Sequence, residues 1–168
     1  MSLAESLLPE FDQEMKLTRN LLERVPEDKA SWKPHQKSYS LEALSTHIAN
    51  LPRWGQATIQ QTVLDLDAPD ASGWRPPTFT TTAELLRTFD ENVATARAVL
   101  AAASDEDMMG NWTLHAGGHD IFTLPRTIVL RTFVLSHIIH HRGQLTVYLR
   151  LLDVPLPSIY GPTADTEG

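Results

Sequence analysis

The run Phe133-Val-Leu-Ser-His137-Ile-Ile-His140-His141-Arg-Gly-Gln144-Leu-Thr-Val-Tyr148 decides how this chain folds and where its chemistry lies. Leu130, Phe133, Val134, Leu145, Tyr148, Leu151 and Leu152 recur at helical spacing, so the run reads as the middle of a long helix with one apolar stripe. His137 and His141 lie inside that stripe. Positions four apart on a helix differ by only ~40° about its axis, so both imidazoles leave the same face, one turn apart. Burying two imidazoles without partners is costly, and a shared cation satisfies both at once. The competing reading is a pair of separately hydrogen-bonded core histidines, and a third ligand is what separates the two.

Working outward, 168 residues suit a single domain, 1–168, with a sizeable core. The composition, 42% hydrophobic and 21% charged, is that of an ordinary soluble protein, and no run approaches the ~18 apolar residues a membrane span needs. No membrane partner is expected. The N-terminus carries no basic segment ahead of an apolar stretch, which points to a cytoplasmic protein. Zero cysteines fit a reducing compartment and remove thiolate ligands and a cysteine nucleophile together. Any metal must then be held by nitrogen and oxygen. A formal net charge of −7 argues against nucleic acid, whose nonspecific affinity comes from Lys and Arg displacing counterions.

Leu8, Phe11, Met15, Thr18, Leu22 and Val25 share one helical face, which predicts a first helix over about 3–25, ended by Pro26 and tolerating Pro9 with Ser6 as its cap. Residues 27–39 carry no sustained period and read as a connection, with Trp32 folding back on the helices. Ser40 caps a second helix, where Leu44, His47, Leu51 and Trp54 form a stripe centred on His47. Pro52 predicts a bend or a freed carbonyl near the level of His47. The turn-rich run 65–80 is a loop long enough to cover one end of the fold. Thr81 and Glu84 make a capping box for a third helix carrying Leu86, Phe89, Val93, Ala96, Leu100 and Ala103. Ser104 begins an acidic turn, and Trp112 and Leu114 before Gly117-Gly118 predict a small β-hairpin over 111–123. Pro125 opens the fourth helix, which runs to about Leu152. Four long amphipathic helices define an all-α four-helix bundle with a small hairpin, a fold that builds cofactor sites from side chains on facing helices. Leu135, Ile138, Ile139 and Leu149 give the fourth helix a second apolar face, which meets either a second copy of the chain or another helix of the same one.

With the second and fourth helices facing each other, His47 points at His137 and His141. Three imidazoles with an open fourth position are the pattern of a catalytic zinc site, although imidazole also suits nickel, copper or iron. His140 lies about 100° from its neighbour, outside the coordination direction, and reads as a ligand-orienting or surface residue. Gln144 and Tyr148 project towards the histidine face as candidates to hydrogen-bond a ligand histidine, a bound water or a substrate, against the plainer reading of polar core tips. Arg142 turns away and reads as surface, partner interface or salt bridge. His115 and His119 sit on opposite strands of the hairpin and make a weak second metal candidate.

The run from His137 to Leu145, followed by Tyr148-Leu-Arg and the tail Pro157-Ser-Ile-Tyr160-Gly161-Pro162-Thr-Ala-Asp165, resembles the C-terminal signature of the DinB/YfiT-like metalloenzymes. Leu41-Glu-Ala-Leu-Ser-Thr-His47-Ile-Ala resembles that family's second-helix histidine segment, and Trp32-Lys-Pro34 the short motif ahead of it. The resemblance implies an up-down-down-up bundle, a divalent metal on His47, His137 and His141, and a homodimer. It also implies chemistry in which a zinc or nickel ion activates a low-molecular-weight thiol or a water for attack on a small-molecule substrate. No carboxylate stands out in the histidine stripes to serve as a base for water, which tilts the reading towards thiol transfer over hydrolysis. The alternative is a metal- or ligand-binding bundle without turnover. An open coordination position separates an enzyme from a closed, sequestering site.

Overall fold

The computed structural model describes residues 1–69 and 71–166, so Asp70 of the long loop and acidic Glu167 of the tail lie outside the described residues. Three long helices, α1 (Leu3–Leu22), α2 (Leu41–Gln60) and α3 (Thr82–Ala102), are followed by a short helix α4 (Asp105–Met109) and strands β2 (Asn111–Ala116) and β3 (His119–Pro125). The last rod is continuous but changes character: α5 (Arg126–Val129), a π-helical segment (Leu130–Leu135), then α6 (Ser136–Leu151). A short strand β1 (Val63–Asp65) lies between α2 and α3.

The helix starts follow local chemistry. Ser2 and Glu5 form a reciprocal capping box at α1, so the cap is Ser2 and not the expected Ser6, and Pro9 sits within the helix. Ser40 and Thr81 cap α2 and α3 as expected, through Ala43 N–H and Glu84 N–H. The expected acidic turn at Ser104 is a helix, because Ser104 and Asp107 close a second capping box. The helix α2 runs unbroken across Pro52, where a bend or a freed carbonyl was expected. The carbonyl that Pro52 leaves without an N–H is that of Ile48, and the adjacent Ala49 carbonyl accepts from Asn92 Nδ2 of α3 at 3.0 Å.

The chain is mostly helical but not all-α. The hairpin forms as expected, with Gly117 and Gly118 at φ 65° and 76°, the left-handed region that a two-residue turn of this kind requires. To it β1 adds in parallel, pairing Val63 with Thr113 and Leu64 with Leu114, which makes a three-stranded sheet in the order β1-β2-β3. Three residues are too few to show a period of two, so this strand left no sequence signal.

Helix α1 packs on α3 and α6, and α2 packs on the same two. Leu3 N–H donates to Asp105 just beyond the end of α3, and Thr82 Oγ1 at its start donates to the Val25 carbonyl, so α1 and α3 run antiparallel. Glu10 of α1 pairs with Arg131, early in the last rod, which therefore runs parallel to α1. Its end meets the start of α2 through Tyr148 Oη, which donates to the Tyr39 carbonyl at 3.2 Å. The main core contains Phe11, Leu21, Leu44, Ile48, Phe89, Leu100, Val134, Ile138 and Leu149. A smaller one, around Leu64, Trp112, Leu114 and Val129, seats the sheet on the start of the last rod.

Leu135, Ile138 and Leu149 are buried within the chain, so the second apolar face of the last helix is met internally. Leu151, expected in the core stripe, is 58% exposed. Leu151 lies about 120° round α6 from buried Leu145, at the edge of the stripe, while the π segment is marked by Ser136 N–H reaching the Arg131 carbonyl five residues back. Arg142, read from sequence as surface, partner interface or salt bridge, forms the salt bridge: it is 2% exposed and pairs with Glu14 of α1 at 2.6 Å. Tyr160 in the tail closes this pair by hydrogen-bonding both groups, so the tail packs along α1 and α6. Among the described residues no helix is long and apolar enough to cross a membrane.

Candidate metal centre

Two helices deliver the three histidines. His47 occupies the second turn of α2, and His137 and His141 follow the π segment on α6. The ring centroids of the three imidazoles lie 4.6 to 5.1 Å apart, and one ring nitrogen from each lies within 4.8 Å of the others. Nε2 of His47 is 3.3 Å from Nε2 of His137. That is long for an N–H···N bond. It matches the ~3.3 Å edge expected between two nitrogens bound at about 2.0–2.1 Å in tetrahedral geometry. Among the described residues no carboxylate or fourth histidine joins this group.

The protonation state suits ligation. Burial, reinforced by the rings of His141 and His137, pushes the His47 imidazole down to about 4. Burial likewise lowers His137 and His141, opposed in part by hydrogen bonds to Phe133 and Gln144. At neutral pH all three rings are uncharged and carry a free lone pair, the form that binds a cation.

Two of the rings are held by an outer partner. Gln144 Oε1 accepts from Nδ1 of His141 at 2.7 Å, which fixes the tautomer and leaves Nε2 to face the cluster. The ring of His137 hydrogen-bonds the Phe133 carbonyl in the π segment. Phe133 in turn stacks on Phe122 of β3, centroids 4.3 Å apart, so the hairpin anchors the backbone that orients His137. π-Helical turns recur at functional sites because they re-aim neighbouring side chains. The irregular backbone thus lies on the His137 side, not at Pro52.

The model of the DinB superfamily matches residues 10–145. The chain belongs to the DinB superfamily. No curated protein matches it. Among solved structures it is similar to a DinB-like protein of Bacillus subtilis, at 24% identity and a TM-score of 0.69 over 94% of this chain and 99% of that one. A DinB-like protein of Bacillus cereus is similar at 20% identity and a TM-score of 0.67, over 93% and 97% of the two chains. At these identities the likeness speaks to the fold.

In this DinB-superfamily chain the remaining candidates separate. His140 is exposed, its ring 4.9 Å from that of His141 and outside the converging group. Tyr148 turns its hydroxyl to the Tyr39 carbonyl and its ring edge to Trp32, so it braces the connection ahead of α2 instead of facing the cluster. Sequence reasoning passed over Tyr39, whose ring lies 6.1 Å from that of His47 and 6.4 Å from that of His141. It also missed a cavity of about 320 Å³ that opens on His47 under the 65–80 loop. Only tertiary contact brings those residues together, so no spacing could have marked them.

His115 and His119 do not converge. His119 bonds the Gly117 carbonyl, while Nδ1 of His115 pairs with Asp120 at 2.8 Å. His115 instead meets Asp65 and Asp67. Asp67 accepts from the Gly118 N–H, so this cluster ties the hairpin turn to the strand beside it.

Proposed function

We propose that this chain is a metal-dependent enzyme on an up-down-down-up four-helix bundle, with His47, His137 and His141 holding a zinc or nickel ion. The helix directions support the bundle: α1 runs against α3, parallel to the last rod, and α2 starts where that rod ends. A divalent ion held there would lower the pKa of a bound thiol or water and so supply a nucleophile at neutral pH. The observation that carries the reading is the convergence of three neutral imidazoles on a point that no fourth described ligand closes and that a cavity reaches at His47. A closed, sequestering site would need that fourth ligand.

The residues divide the work. His47, His137 and His141 donate lone pairs, Gln144 and the Phe133 carbonyl hold two of the rings, and the cavity receives a small-molecule substrate. The ligand group contains no carboxylate to deprotonate water, which supports a low-molecular-weight thiol as cosubstrate, transferred to an electrophile. A chain without cysteine suits a cytoplasmic setting, where its own side chains cannot compete for that electrophile.

Elemental mass spectrometry on protein purified without a histidine tag tests the metal first. About one divalent ion per chain in the wild type, lost in His47→Ala and His141→Ala, is the expected result. A wild type that is empty and cannot be loaded with zinc or nickel would overturn the reading. A screen of thiols against small electrophiles then follows on the loaded protein.

A further inference from the structure

The cavity beside His47 has walls that a metal site alone does not require. Trp54, Leu66, Trp74 and Pro76 give it a largely apolar, partly aromatic lining. In a chain of net charge −7, the ionisable groups among its described lining residues are His47 and Arg75, and neither is acidic. An apolar pocket with few, fixed polar groups is the usual form of a small-molecule site.

Arg75 is placed, not merely present. Asn50 is 4% exposed and spends its amide on the loop, donating from Nδ2 to the Trp74 carbonyl at 2.8 Å. The Arg53 guanidinium lies over the Trp74 ring, 4.7 Å from its centroid, a cation–π contact that holds the indole against α2. Immediately after Arg75 come Pro76 and Pro77, which restrict the backbone on its other side. The loop is therefore fastened on both sides of an exposed arginine that forms no ion pair among the described residues. His47, Asn50 and Trp54 follow one another along one face of α2, which puts the ligand histidine and the fastened loop on the same cavity.

We infer that this cavity binds a small organic carboxylate, its apolar body against Trp54 and Trp74 and its carboxylate on the Arg75 guanidinium, with its reactive end towards His47. A guanidinium meets a carboxylate through two parallel N–H···O bonds, which favours this anion over a point charge or a neutral polar group. The orientation towards His47 rests on the metal-dependent reading above. The anion selectivity of the cavity does not.

The test uses benzoate as probe and benzamide as its neutral counterpart, followed by tryptophan fluorescence and calorimetry on the full chain. It is run first on metal-free protein and then after loading with zinc. Benzoate is expected to bind metal-free protein about tenfold or more tighter than benzamide, since one charge-assisted bond contributes at least that much. Arg75→Gln should abolish the preference while leaving benzamide affinity unchanged, which also reports that the pocket is intact. Arg75→Lys should restore only part of it. Equal affinities for the two probes, or a benzoate preference that survives Arg75→Gln, would overturn the inference. A preference that appears only with zinc and survives Arg75→Gln would also overturn it, placing the carboxylate on the ion. A chain that takes no zinc yet prefers benzoate through Arg75 would sink the enzyme reading and leave the carboxylate pocket standing.

Discussion

Nδ1 of His141 donates to Oε1 of Gln144 at 2.7 Å, one helical turn further along α6. This bond leaves the opposite nitrogen of the ring without a proton and points it at His47 and His137. Outer partners of this kind set both the tautomer and the basicity of a ligand histidine, and losing one typically costs about 10–100-fold in metal affinity. Gln144→Leu should therefore weaken zinc binding by that order in a competition titration against a chelator. Because Gln144 is exposed, its urea midpoint should stay close to wild type. Unchanged zinc affinity would mean that packing alone orients the ring.

The buried imidazoles also set a pH response in metal-free protein. An unfolded histidine titrates at about 6.5, whereas folded His47 stays neutral down to about 4. Between those values the unfolded chain binds more protons, so stability falls as pH drops from about 6.5 towards about 4 and is level above that window. His115 contributes with the opposite sign, because its Asp120 partner raises it: its contribution is present below about 6.5 and is lost as pH rises through the higher folded value. The comparison is therefore between wild type and His47→Leu, which share His115. Urea midpoints at pH 7.5 and pH 5 should drop less in the variant, and an equal drop would remove His47 from the account.

Arg142 and Glu14 form a pair that is 2% and 8% exposed, with Thr18, the Glu14 carbonyl and Tyr160 accepting further hydrogen bonds from the two terminal guanidinium nitrogens. Removing one member strands a buried charge, which costs about 3–5 kcal/mol. Glu14→Ala should therefore lower the free energy of unfolding by that amount in urea titrations. Tyr160→Phe, which keeps the ring over Arg142 and loses only the hydroxyl, should cost about 1 kcal/mol. If Glu14→Ala were near neutral, water would have to reach the guanidinium.

Association is a separate question, since the second apolar face of the last helix, which could have met a second copy or another helix of the same chain, is met inside the chain. What remains outside on α6 is Val147 and Leu151, 57% and 58% exposed. A homodimer using this strip should appear in sedimentation equilibrium at micromolar concentration, and Val147→Glu with Leu151→Glu should return it to monomer. A wild type that sediments only as monomer removes the dimer.

The histidine site was legible because its signal is local. Two imidazoles four residues apart share a helix face whatever the rest of the chain does, and His47 centres the stripe of α2 in the same way. The Thr81 cap and the glycine turn of the hairpin were legible for the same reason, since their partners lie within four residues, although the Glu84 carboxylate expected to complete a capping box turns to Arg87 instead. Leu151 was placed in the buried stripe although it lies about 120° round α6 from Leu145, and Arg142 falls by the same regular spacing on the buried face of Ile138, Leu145 and Leu149. Nothing in the composition of Leu130–Leu135 announces a π turn.

The sequence by itself determined the long helices, the hairpin, the pairing of His137 with His141 and the absence of thiolate ligands. All of these follow from bond geometry and spacing within a few turns of chain. Tertiary structure alone decided that His47 lies 3.3 Å from His137, that β1 extends the sheet, that Glu14 answers Arg142 across 128 residues, and that Trp74 and Arg75 close a cavity over the site. Those contacts join residues far apart in sequence. Their energy comes from burying the same apolar surfaces that many arrangements could bury, so the pairing of buried polar groups such as Arg142 with Glu14 selects among them.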